Sequence, residues 1–193
     1  MGRHFPVDSN GKSRVNVPSG YLFKEILSRY FICTPTLMFR KSTLLYLSGY
    51  DENLTFEDFD ILIRLSRRFL VGYQDKILTQ KRIHASSQSG TIIRKENQLL
   101  LSTFLICEKA YYLCQSEEEH DALHARIRTF IRKCYYTDNF ELAIRFSELY
   151  NKIRNTDFQT CIILWLCMQK FSVNSFYVKY IASKRLIERN FPF

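Results

Sequence analysis

Carboxylates crowd one short stretch of this chain, Asp51-Glu-Asn-Leu-Thr-Phe-Glu-Asp-Phe-Asp60. Glu57, Asp58 and Asp60 fall where the pattern of apolar residues starts a helix. There the helix dipole favours negative charge by roughly 0.3–1 kcal/mol. Like charges this close act in the opposite sense and raise the pKa of at least one carboxyl. A carboxylate so placed can serve as a general base, taking a proton from a reacting hydroxyl. Ordinary helix starts also collect Asp and Glu, and the local pattern leaves both readings open.

The elements that must position this cluster follow from spacing. Thr55 can cap the helix with Asp58 three residues on, a variant of the capping box. Phe59, Leu62, Ile63 and Phe69/Leu70 form its apolar stripe, and Arg64, one turn after Asp60, is placed for a structural ion pair with it. Upstream, Asp8 to Gly11 reads as a turn closing onto Arg14–Val17, and Tyr21–Arg29 has helical spacing. The segment Phe31–Phe39 is rich in β-formers, but Pro35 confines it to a sheet edge or bulge. Ser42 can cap a short helix over Thr43–Ser48, ended by Gly49. Leu70–Tyr73 and Lys76–Ile83 read as two short strands, followed by a small-residue loop over Ala85–Thr91. From Arg94 onward Gly is absent and Pro waits until Pro192. Apolar spacing there predicts helices near 94–115, 118–135, 139–154, 158–171 and 174–190.

Taken in order, several motifs resemble those of family-2 glycosyltransferases. They are Thr34-Pro-Thr-Leu-Met-Phe-Arg-Lys-Ser42, Leu47-Ser-Gly-Tyr-Asp-Glu52, Phe56-Glu-Asp-Phe-Asp60 with Arg64, and Lys81-Arg-Ile-His84 with the Ser-rich loop. The resemblance covers about residues 10–90. It implies a partial GT-A-like mixed sheet with helices, an α/β fold over 1–91, followed by an all-α region over 92–193. It also implies an inverting transfer of a sugar from a nucleotide-sugar donor to a glycan or lipid-linked acceptor. Asp58 would be the catalytic base and Glu57 an orienting or acceptor-binding neighbour. His84 and Arg82 would contact the donor diphosphate, His84 also a divalent metal (Mn or Mg) in the full-length enzyme. The Ala85–Thr91 loop would close over the donor.

The family also carries a strand-rich nucleotide-binding half with an Asp-x-Asp metal motif, and that half is not found in these residues. The expectation is therefore a truncated transferase whose activity alone is in question. The reading that competes with it is a non-catalytic helical interaction module beside a relic transferase half.

The other signals are weaker. His120-Asp-Ala-Leu-His124 places two imidazoles on one helix face, as zinc-binding H-E-x-x-H segments do, with Asp in place of Glu. It lies in the acidic stretch from Glu117, which reads as a solvated helix start, and no third ligand follows. Tyr135–Phe146, with Ala143 at a small packing position, resembles one tetratricopeptide turn, but without a second copy a generic helical hairpin is the better reading.

Six cysteines without a C-x-x-C pair read as reduced and structural, pointing to the cytoplasm. The longest apolar run, Cys161–Met168, is too short to span a bilayer. A net charge of +9 suits phosphate-bearing ligands or anionic membranes. No nucleic-acid module accompanies the charge, so nucleic acid is not expected as a partner. Phe158–Phe171, with the single Trp165, precedes Lys170, Lys179, Lys184, Arg185 and Arg189 against only Glu188. Burial among neighbouring helices is the first expectation for it, and peripheral contact with the inner face of the cell membrane the second.

Overall fold

The computed structural model describes residues 16–76, 78–79 and 98–190. Among them are eight α-helices and one 3₁₀ turn: α1 (Phe23–Ser28), the turn Thr34–Thr36, α2 (Lys41–Tyr46), α3 (Glu57–Ser66), α4 (Gln98–Leu113), α5 (Glu117–Tyr136), α6 (Phe140–Ile153), α7 (Phe158–Met168) and α8 (Asn174–Asn190). The contacts divide the chain into two compact units. One takes residues 1–87 and 105–123, the other 88–104 and 124–193, so α4 and α5 each supply part of both.

The mixed sheet expected over residues 1–91 is not there: no strand forms among the described residues. What remains of pairing is a single antiparallel bridge, in which Gly20 and Val71 exchange N–H···O bonds of 2.8 Å. The bridge does not propagate, because the next available donor, the Tyr73 N–H, turns to the Ser19 hydroxyl at 3.1 Å. Gly20 itself sits at φ +113°, outside strand geometry. The β-rich reading of Phe31–Phe39 fails for a local reason. Around Pro35 the backbone closes on itself, with Thr36 N–H donating to Cys33 O (2.8 Å) and Leu37 N–H to Thr34 O (3.0 Å). A 3₁₀ turn satisfies these groups without a neighbouring strand. The second expected strand over Lys76–Ile83 and the turn at Asp8–Gly11 lie largely or wholly outside the described residues, as does the Ala85–Thr91 loop.

In the first unit α1 packs on α3. Phe23, Ile26 and Leu27 from α1 meet a helix that buries Phe59, Ile61, Leu62, Ile63 and Leu65. Fully burying such side chains is worth about 1.5–3 kcal/mol each, which outweighs the weak intrinsic helix preference of Phe and Ile. Helix α2 begins at Lys41, after Arg40 rather than Ser42 in the cap position. It ends where Ser48 and Gly49 both take left-handed backbone (φ 60° and 69°), which lets Gly49 N–H reach Leu44 O at 2.8 Å.

The five helices expected after residue 94 form close to their expected places. In the second unit Phe146 of α6 meets Phe104 edge-on (5.1 Å between ring centres) and stacks on Phe130 (5.9 Å). The α5–α6 turn places Asp138 at φ 58°, and Ala143 is wholly buried, as a close helical hairpin requires. Helix α7 packs on α6 and has a side-chain cap, Asp157, which accepts from Thr160 N–H at 3.1 Å.

Candidate functional site

Four of the five carboxylates from Asp51 to Asp60, all but exposed Glu52, separate into two pairs. Asp60, only 1% exposed, accepts from Arg64 Nε at 2.8 Å and from Lys109 Nζ at 3.0 Å. The ion pair expected between Asp60 and Arg64 is thus present. Lys109, from α4, also donates to Asp51 at 2.7 Å. Arg64 continues the network by donating to the carbonyls of Leu47 and, at 2.8 Å, Gly49. Burial works against the charge on Lys109, but its two carboxylate partners outweigh this and raise its pKa. The hydrogen bond from Lys109, aided by Asn53, holds the Asp51 carboxyl below its usual range. This cluster fastens the Gly49–Glu52 turn to α3, and it accounts for two of the four acids as structure.

Glu57 and Asp58 stand apart from that network. Neither enters an ion pair among the described residues. Both are half-buried at the first turn of α3. The cap expected from Thr55 is not the one formed, since Phe56 occupies the cap position and supplies no side-chain bond. Asp58 Oδ2 instead accepts from the Thr34 hydroxyl at 2.7 Å, across 24 residues of chain. Thr34 lies 3.4 Å from the Tyr30 hydroxyl.

Aromatic rings surround the acids. Tyr30 packs edge-on against Phe56 and Phe59, and Tyr50, 38% exposed, packs edge-on against Phe39. Burial raises the phenol pKa of both Tyr30 and Tyr50, and the charge of Asp58 adds to it in each case. Both phenols therefore stay protonated near neutral pH and can donate hydrogen bonds.

His84 and Arg82 lie outside the described residues. No group of three His, Cys, Asp or Glu residues stands together to hold a metal ion among the described residues. The two imidazoles on α5 have other employment. His120 Nδ1 lies 2.9 Å from Ser116 O, with its ring against Tyr111, and His124 stacks on Tyr150 with ring centres 3.7 Å apart.

Thr34, Tyr30 and Tyr50 carried no assigned role in the sequence. Thr34 and Tyr50 lie inside the motifs around Asp58, so their order along the chain was the available signal. Lys109 had none, being 49 residues from Asp60. No family model, no curated protein and no solved structure matches this chain.

Proposed function

We propose that the first unit is the acceptor side of an inverting glycosyl-transfer site, with Asp58 as the base. The observation that carries this reading is the separation of the acids. Asp51 and Asp60 are spent on Lys109 and Arg64, whereas Glu57 and Asp58 enter no ion pair among the described residues, and half-buried Thr34 and Tyr30 and exposed Tyr50 lie near Asp58. A carboxylate unmatched by a cation keeps its capacity to accept a proton. Tyrosine rings and hydroxyl donors are the surroundings in which a sugar's apolar faces and hydroxyls find partners.

In the step proposed, Asp58 takes the proton of an acceptor hydroxyl. That oxygen attacks the anomeric carbon of the donor, and the bond to the nucleoside diphosphate breaks with its electron pair. Configuration at the carbon inverts. The Thr34 hydroxyl orients Asp58, and Glu57 holds the acceptor. A divalent cation would neutralise the departing diphosphate; the described residues offer no donor set for it, and no step here depends on one. His84 and Arg82 remain the proposed diphosphate contacts, and the cytoplasm the proposed location. No helix among the described residues is long and apolar enough to cross a membrane.

The test is transfer of labelled sugar from a panel of nucleotide sugars, with manganese, to glycan and lipid-linked acceptors. The assay is run on the full chain. Asp58→Asn keeps shape but cannot take the proton, so transfer should fall by about 10²–10⁴-fold with donor affinity unchanged. His84→Ala should instead weaken donor or metal binding. Retention of more than about a tenth of the rate in Asp58→Asn would remove Asp58 from the role.

A further inference from the structure

Helix α7 is apolar on every side, yet one side is uncovered. Its buried residues, Thr160 and Cys167, are seven apart and so share one face. Phe158, Ile162 and Trp165 fall within an arc of about 60° on the opposite face. Phe158 is 79% exposed and Trp165 56%, with Ile162 and Met168 also exposed. Past the helix, Phe171 is exposed as well, and so is Phe176 at the start of α8, at 77%. Ordinary amphipathic helices in a folded domain turn such residues inward, and a contiguous apolar surface left outside marks a binding face.

The charge around this face says what it fits. From Phe158 to Ser183 the chain has no Asp or Glu; the nearby acids Asp157 and Asp138 are engaged, one capping α7 and the other accepting from the Ser172 hydroxyl, while Lys170 and Lys179 are both exposed. Lys170 lies directly beyond the end of α7, held there by left-handed backbone at φ 52°. Lys184, Arg185 and Arg189 follow in sequence against Glu188 alone. A second copy of the same face would bring these cations against one another, whereas an anionic lipid surface would neutralise them. A tryptophan on an apolar face with flanking lysines also matches the chemistry of the headgroup–acyl boundary.

We propose that the exposed face of α7, with the start of α8, docks on an anionic membrane surface. Trp165, Ile162 and Phe158 enter the acyl boundary, and Lys170 and Lys179 pair with acidic headgroups. The inference is independent of the sugar-transfer reading.

Trp165 is the only tryptophan in the sequence, so its fluorescence reports on this face alone. The full chain is titrated with vesicles of phosphatidylcholine and with vesicles containing phosphatidylserine as well. The expected result is a blue shift of emission with the anionic vesicles, lost as salt is raised. Lys170→Glu with Lys179→Glu should weaken this binding by at least about tenfold. Ile162→Gln with Met168→Gln should weaken it while helical circular dichroism is unchanged. Emission that stays constant with both kinds of vesicle would overturn the proposal, as would equal binding to neutral and anionic vesicles. A blue shift that grows with protein concentration without lipid, with a doubled mass in light scattering, would assign the face to a second copy instead.

Discussion

Arg64 and Asp60, one turn apart on α3, meet at 2.7 Å, and the same guanidinium reaches back to the carbonyls of Leu47 and Gly49. One side chain therefore ties the start of the helix to the turn carrying Tyr50 and Asp51. The acid it holds is buried, and Lys109 reaches it from a helix far along the chain. Asp58 is only two residues from Asp60, yet it accepts from the Thr34 hydroxyl and enters no ion pair among the described residues.

That contrast predicts different consequences for two neighbouring carboxylates. Asp60→Ala leaves two cations without their shared partner and should cost about 3 kcal/mol, the low end for a broken buried pair because Arg64 and Lys109 both reach solvent. Asp58→Asn should cost less than about 1 kcal/mol, since the amide oxygen can still accept from Thr34. Urea denaturation of the two variants measures the difference. Equal losses would show that Asp58 is as structural as Asp60.

Asp157 sets an acid limit on the second unit. Its carboxylate accepts from the Tyr150 hydroxyl (2.7 Å), the Thr160 hydroxyl (2.7 Å) and the Thr160 N–H, and these hold its pKa well below the ordinary carboxylate value. A depressed folded pKa gives stability that is full above the unfolded pKa of about 3.9 and is lost as pH falls towards the folded value. Asp157→Ala should cost about 1–2 kcal/mol at neutral pH, the size of a lost cap. The gap between wild type and variant should close as pH falls below about 4. Denaturation curves at neutral and acid pH check the sign, and a gap that widened in acid would contradict it.

Thiol chemistry should single out one cysteine. None of the six forms a disulfide, and only Cys161 is exposed. Burial pushes Cys114 up to about 12 and Cys167 up to about 11, and it raises Cys134 further still. The thiolate is the reactive form, so these groups react slowly even when reached. A disulfide reagent should therefore titrate one thiol promptly in the folded chain and all six after denaturation. Cys161 lies on the uncovered face of α7, so anionic vesicles should slow its reaction if that face meets lipid.

The helices after residue 94 were legible because their apolar residues recur at helical spacing with no glycine or proline to interrupt them. Phe146 and Ala143 belong to α6 by period alone. The Arg64–Asp60 pair was legible for the same reason, since a helix brings residues four apart together without help from the rest of the chain. The sheet expected before residue 91 was what the family resemblance implied, alongside β-forming side chains at Phe31–Phe39, Leu70–Tyr73 and Lys76–Ile83. Strand formation needs a partner edge as well as a propensity, and propensity alone does not provide one. The carbonyls of Cys33 and Thr34 and the Ser19 hydroxyl gave the backbone local partners, and among the described residues one isolated bridge formed.

Which acids of the cluster are structural was beyond the sequence for a related reason. Asp51, Asp58 and Asp60 are alike in composition and lie within ten residues of one another. What distinguishes them comes from elsewhere in the chain: Lys109 for Asp51 and Asp60, Thr34 for Asp58. Likewise, α7 reads as a buried helix from its residues, and only packing shows that one side is left open. Local periodicity determined the helices and the pair within one of them, because those contacts depend on neighbours in the chain. Tertiary structure decided the partners of each carboxylate and the exposure of Trp165, because charge pairing and burial depend on what the fold brings near.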